Sequence, residues 1–230
     1  MNFCWQLMNE PFVFDQNHPA VFCVESPAAF CTLLTDLHEL LESGAEKCSF
    51  YENNEPISAE KRLEWITDPF AVSLNQKKIL NALYVQLEKQ MWSEEYFQKT
   101  NEMLSSLQGY LALLCDSTDY PLAFAEHPAF SALFKACEIQ PEPDHGTLLQ
   151  RLDAYLQACC EFLKKDVFFF VNLHAYLSAN ELSELYKTAA YRKYHLFLLE
   201  SHEPPALPGE SRFVMDASLC QLNFGWQPAE

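Results

Sequence analysis

His174 lies three residues past the apolar run Val167 to Val171, and Glu200 closes the run that starts at His195. The carboxyl ends of parallel strands are where open α/β sheets collect ligands and reacting groups. An imidazole and a carboxylate placed there are the right types for acid–base work, although a His in that position can equally cap a turn. His127 beside Glu126 is a second imidazole–carboxylate neighbour. No Ser/His/Asp or Cys/His arrangement has supporting local context, which sets hydrolase chemistry aside. Phosphate chemistry fails on residue types. A phosphate-cradling loop needs G-x-x-x-x-G-K-[ST], so that backbone N–H groups and a Lys meet the phosphates. The corresponding strand-to-helix junction here is Glu25-Ser26-Pro27-Ala28-Ala29, with no Gly, no Lys, and a Pro that removes one donor. The later strand ends at Asn172, where a metal-holding acid would be expected. No bound nucleotide is expected.

Nine Cys form no CxxC and no zinc spacing with His. Cys23, Cys31, Cys159 and Cys160 sit among apolar residues, where a free thiol behaves as a small buried hydrophobe. Reduced thiols and a cytoplasmic setting are the expectation. Glu10 and Pro11 break up the opening segment too early for a secretory leader. No apolar run approaches the roughly 20 residues that span a bilayer, so no membrane partner is expected. The net charge of −17 opposes general nucleic-acid binding, which needs clustered Lys and Arg, without excluding a local basic strip.

The elements that would position these residues read as α/β. Phe3, Trp5 and Leu7 alternate ahead of Pro11 and Phe12 to Phe14, which suggests a short hairpin. Ala20 to Val24 has strand length. Ser26 and Pro27 then suit the cap and first position of a helix carrying Phe30, Leu33, Leu34, Leu37, Leu40 and Leu41 and ending at Gly44. Cys48 to Tyr51 and Glu64 to Thr67 read as further strands. From Leu74 to about Lys165 helical texture takes over, including a helix from Thr147 to Lys164, and this stretch reads as an inserted all-α subdomain. The continuous run Val167 to Val171 predicts a strand covered on both faces, as in a parallel sheet. Ser178 and Glu181 form a capping box for the next helix. Strands follow at His195 to Leu199 and Phe213 to Met215, and Asn223 to Glu230 reads as a loose tail. The expected architecture is a mostly parallel α/β head over residues 1–73 and 166–230, with a helical leg inserted at 74–165.

Five segments, "LMNEPFVF" (Leu7 to Phe14), "ITDPF" (Ile66 to Phe70), "ILNALYVQLEKQM" (Ile79 to Met91), "FLKKDVFFFVNLHAYLSANEL" (Phe162 to Leu182) and "FLLESHE" (Phe197 to Glu203), lie in an order and spacing that resemble the type II-A CRISPR adaptation proteins of the Csn family. The specific part is their shared order around a helical insertion, over nearly the whole chain. The resemblance implies a degenerate P-loop-NTPase-like head with a helical leg, and a homotetrameric ring whose hole takes double-stranded DNA ends. It implies calcium ordering the leg, a role in spacer acquisition in antiviral defence alongside the CRISPR integrase pair and the RNA-guided effector nuclease, and no catalytic step. The acidic segment of the family falls at Cys115 to Glu126, which makes Asp116, Asp119 and Glu126 the calcium candidates. Leu122 and Phe124 stand where relatives are acidic, and a solvated loop between helices is the alternative for this segment. Candidate phosphate contacts are Lys135, Arg151, Lys187, Arg192 and Lys193, the last three clustered on one helix and its end. Ordinary solvated helix faces are the alternative for each. Against the DNA-end binder stand an acidic protein-interaction scaffold without strong DNA binding of its own, and a residual nucleotide hydrolase that the Ser26 to Ala29 junction disfavours.

Overall fold

The computed structural model describes residues 1–44, 47–142 and 146–224. The first strand, β1 (Asn2–Trp5), buries Phe3 and Trp5 on one side and pairs antiparallel with β2 (Phe12–Val13) in the register Phe3↔Phe12. Its other edge pairs with β4 (Cys48–Glu52), after β3 (Ala20–Val24) has left for a second sheet. Asn53 and Asn54, at φ 51° and 64°, turn β4 into β5 (Glu55–Pro56). Two left-handed residues in a row suit a tight hairpin, and Asn tolerates them better than most residues. This antiparallel sheet has the order β2-β1-β4-β5.

The second sheet adds β6 (Leu63–Ile66), β7 (Val167–Val171), β8 (His195–Glu200), β9 (Ser211–Met215) and β10 (Gln221–Phe224) in the order β10-β9-β3-β8-β7-β6. Every pairing is parallel except that of β10 with β9. The mostly parallel α/β expectation is met. The tail expectation is not met at Asn223 and Phe224, which belong to β10; residues 225–230 lie outside the described ones. As an edge strand with hardly any buried side, β10 carries no alternation that a sequence could display.

One face of the parallel sheet and the antiparallel sheet enclose an aromatic core. Phe22, Phe169, Phe197 and Phe213 meet Phe3, Phe12, Phe14 and Phe50, and α1 (Pro27–Ser43) adds Leu33 and Leu37. Ser26 caps α1 by accepting from the Ala29 N–H, Pro27 starts it, and Gly44 at φ 71° ends it. The short helix α2 (Ala59–Arg62) carries Arg62, whose guanidinium spans Glu52 on β4 and Asp166 ahead of β7, tying the two sheets together. Cys23, Cys48 and Cys159 are buried as small hydrophobes, and burial pushes the Cys23 thiol up to about 12. Cys160 is half-buried and Cys31 exposed, on the outer side of α1, so apolar neighbours in sequence misplaced Cys31. All nine Cys are free thiols.

The chain divides into two compact units, residues 1–73 with 144–230, and residues 74–143. The second unit contains α3 (Lys77–Met91), α4 (Phe97–Asp116) and α5 (Phe130–Ala136). There Trp92 packs on Phe97 and Phe130, the Tyr84 hydroxyl donates to the Ile139 carbonyl at 2.9 Å, and Thr100 donates to the Met91 carbonyl at 2.9 Å. The next helix, α6 (Leu148–Leu163), was expected in the leg but falls in the first unit. Its Tyr155 hydroxyl donates to Glu64 of β6 at 2.6 Å, and it packs beside α7 (Ala179–Arg192). Helical periodicity marks a buried face but not the partner that buries it. The inserted stretch therefore ends near residue 143 rather than 165. The capping box expected at Ser178 and Glu181 is formed, and a second one joins Thr147 and Gln150.

Candidate functional site

The junction that would hold phosphate is filled by its own side chain. Glu25 N–H donates to the Met215 carbonyl at 2.9 Å, and the Ser26 hydroxyl takes the Ala29 N–H. At the end of β7, Asn172 adopts φ 53° and staples the neighbouring strand end. Its N–H donates to the Leu199 carbonyl at 2.8 Å and its Oδ1 accepts from Ser201 N–H at 2.8 Å. Strand-end positions that could serve a ligand instead close the backbone.

Beyond Asn172 a short 3-10 turn, Leu173–Ala175, points His174 inward. His174 Nδ1 lies 2.8 Å from Glu200 Oε1, and its Nε2 stands 3.5 Å from Glu210 Oε1, an ion-pair distance without hydrogen-bond alignment. Glu210 is the hub. It accepts from Tyr186 Oη at 2.9 Å, from Arg212 at 2.7 Å and from Leu207 N–H at 3.0 Å. Arg212 also donates to the Pro204 carbonyl at 2.7 Å and faces Glu203 at 3.5 Å. Burial alone would lower the His174 pKa, but the two carboxylates outweigh it and raise it to about 9. Burial alone would raise that of Glu210, but the nearby His174 and the hydrogen bonds from Leu207, Tyr186 and Arg212 hold it below the usual carboxylate range. His174 and Arg212 thus balance Glu200 and Glu210. An imidazole held protonated at neutral pH has no free lone pair there to act as a base. His174 and Glu200 were legible as strand-end residues, whereas Tyr186, Glu210 and Arg212 were missed. The available signal was two opposite charges, Glu210 and Arg212, spaced to lie on one side of a strand start.

This network has a pH signature. The folded state holds a proton on His174 up to about 9, the unfolded state only to about 6.5. Between those values the native chain binds more protons, so stability falls as pH rises. The advantage is complete below about pH 6.5 and is lost as pH passes through about 9. Denaturant midpoints of the wild type and of His174→Gln should therefore converge across that window. Parallel curves for the two would contradict a charged His174.

The candidate phosphate contacts are scattered. Lys135 is exposed on α5 in the second unit. In the first unit, Arg151 on α6 is half-buried, with its Nε unpartnered among the described residues. Arg192 reaches Asp153 of α6 at 3.8 Å. Lys187 and Lys193 are exposed, and Lys187 lines a groove of about 390 Å³ with Ser183, Tyr186 and Gly209. Sharing one helix does not put Lys187 and Arg192 on one face, since five residues turn a helix well past a quarter circle. Asp116 ends α4, and Asp119 and Glu126 follow it, all three exposed. Among the described residues no three His, Cys, Asp or Glu come together in a way that could hold a metal ion. The Glu126 carbonyl accepts from Gln108 at 2.8 Å. Among the described residues no helix is long and apolar enough to cross a membrane.

No curated protein matches the chain. Among solved structures, Stu0660 of Streptococcus thermophilus superposes with a TM-score of 0.60 at 11% identity, over 94% of this chain and 74% of that one. The protein cbiO1 from Clostridium perfringens, part of the ABC transporter complex cbiONQ, gives 0.48 at 14% identity, over 97% and 86%. The first likeness speaks to the fold alone. The profile of the family described as "CRISPR-associated protein (Cas_Csn2)" matches residues 42–219. That match spans well over half of the chain, which belongs to the Cas_Csn2 family of CRISPR-associated proteins.

Proposed function

We propose that the chain is a non-catalytic binder of double-stranded DNA ends that assists spacer acquisition, working as a cytoplasmic homotetrameric ring with the CRISPR integrase pair and the RNA-guided effector nuclease. The observation that carries the proposal is membership of a CRISPR-associated family over residues 42–219. The head is a P-loop-type shell without its phosphate loop. In support, β3 lies inside the parallel sheet between β9 and β8, and its exit at Ser26 is closed by a helix cap instead of glycines and a lysine. The pairing of His174 with Glu200 and Glu210, which keeps the imidazole protonated at neutral pH, supports a non-catalytic reading. Calcium as an ordering ion rests on the resemblance alone.

Recognition of an end by a ring depends on phosphate contacts without base readout, so affinity should fall steeply with salt. Linear duplex should be retained at low salt and the same duplex covalently closed should not. Equal retention of both would remove the threading idea.

An acidic interaction scaffold is the second reading, and one observation favours it. Part of the positive charge is tied up in ion pairs. Arg62 binds Asp166 and Glu52, Arg212 binds Glu210, and Lys47 pairs with Asp36 and Glu39. Failure of the protein to shift linear duplex at low salt would select the scaffold.

A further inference from the structure

Several large aromatic side chains lie at the surface, among them Phe70, Phe97, Tyr110 and Tyr120. Tyr191, near the end of α7, is 88% exposed, more than any other large apolar side chain among the described residues. Asn180, Glu184, Lys187 and Tyr191 follow one another at intervals of three and four and are all exposed, so they form the solvent stripe of the helix. Tyr191 is one turn beyond Lys187 and two residues before Lys193, both exposed. Glu184 is the one acid on the stripe. Packing does not require a ring in this position. The opposite face of α7 is already filled by Leu182, Leu185, Tyr186 and Ala189. A ring standing in water one turn from a lysine, with a second lysine two residues on in the chain, is the combination that single-stranded nucleic acid uses. The cations follow phosphates, and the ring stacks on a base whatever its identity.

We infer that Tyr191 is a stacking platform for an unpaired base at a DNA end, with Lys187 and Lys193 holding the phosphates beside it. The inference rests on the DNA-end reading and sharpens it. The chain selects termini that fray or carry a single-stranded overhang, because only these present a free base face.

The test compares one duplex in two forms, blunt and with a short single-stranded overhang carrying a fluorescent base analogue. The wild type is expected to bind the overhang form tighter by roughly five-fold or more, the low end for stacking one base, and to quench the analogue. Tyr191→Ala should bind both forms with the blunt-end affinity and leave the fluorescence unchanged, while Tyr191→Trp keeps both signals. At so exposed a site the substitutions should leave the thermal midpoint unchanged. If wild type and Tyr191→Ala discriminate the two forms alike, or if neither discriminates, the stacking role is overturned while end binding stands. If the wild type binds neither form, the DNA reading and this inference fall together.

Discussion

Phe197→Ala is expected to destabilise the first unit by about 3–5 kcal/mol, the range for removing a buried aromatic ring. Phe197 lies on β8 at the centre of the aromatic core, in ring contact with Phe3, Phe12, Phe14, Phe22, Phe50 and Phe169. These rings come from both sheets, so the cavity opens at the seam where the sheets are joined. Close packing on every side leaves little room for collapse. In a chain of this size the melting midpoint should drop by roughly 2–4 °C per kcal/mol. Phe197→Leu, which keeps most of the volume, should cost distinctly less. Equal losses for the two variants would show that the site does not depend on packing.

The second large effect is expected at Glu210. Glu210→Ala removes the acceptor for Tyr186 and Leu207 N–H, and strips Arg212 and His174 of a shared carboxylate. Removing one partner of a buried ion pair costs about 3–5 kcal/mol, because the remaining charge stays buried and uncompensated. Glu210→Gln keeps an acceptor of the same shape and should recover part of the loss. The denaturant midpoint is the readout, at unchanged slope. In the Glu210→Ala background, His174→Gln should cost less than it does alone, since the two residues act in one network. Strict additivity of the two losses would contradict the coupling.

How much of this was readable in advance depended on how local the cause was. The strand–cap–helix run from Ala20 to Ser43 announces itself, because Ser26, Pro27 and Gly44 act on their immediate neighbours. The runs at Val167 and His195 are equally plain. A strand covered on both faces has no polar side, and the register of β7 with β8 places Phe169 opposite Phe197. What a chain cannot state locally is which distant element covers a face. Leu152, Tyr155 and Leu156 mark α6 as half-buried, but only the fold says that β6 and α7 are its neighbours. The joining of His174 and Glu200 to Tyr186, Glu210 and Arg212 is invisible for the same reason. The network's members come from the turn after β7, from α7, from the end of β8 and from the start of β9, and beyond the pair Glu210 and Arg212 no spacing rule joins them. Of the candidate site, the lack of a glycine-and-lysine phosphate loop at the Ser26 junction was legible because it is a matter of residue types. The partition of the basic residues was not, since whether an Arg faces solvent or a carboxylate is a tertiary fact. Arg192 illustrates this. In sequence it groups with Lys187 and Lys193, but in the fold it turns toward Asp153.

Recognition of a free duplex terminus is the claim on which the functional account depends, and cutting a circle tests it most directly. The protein is mixed at low salt with covalently closed circular DNA, and a nuclease with a single site on that circle is then added. The account predicts no complex before cleavage, a complex that appears as the circle opens, and its loss as salt is raised. A complex of equal strength before and after cleavage, or none on the opened DNA, would contradict it.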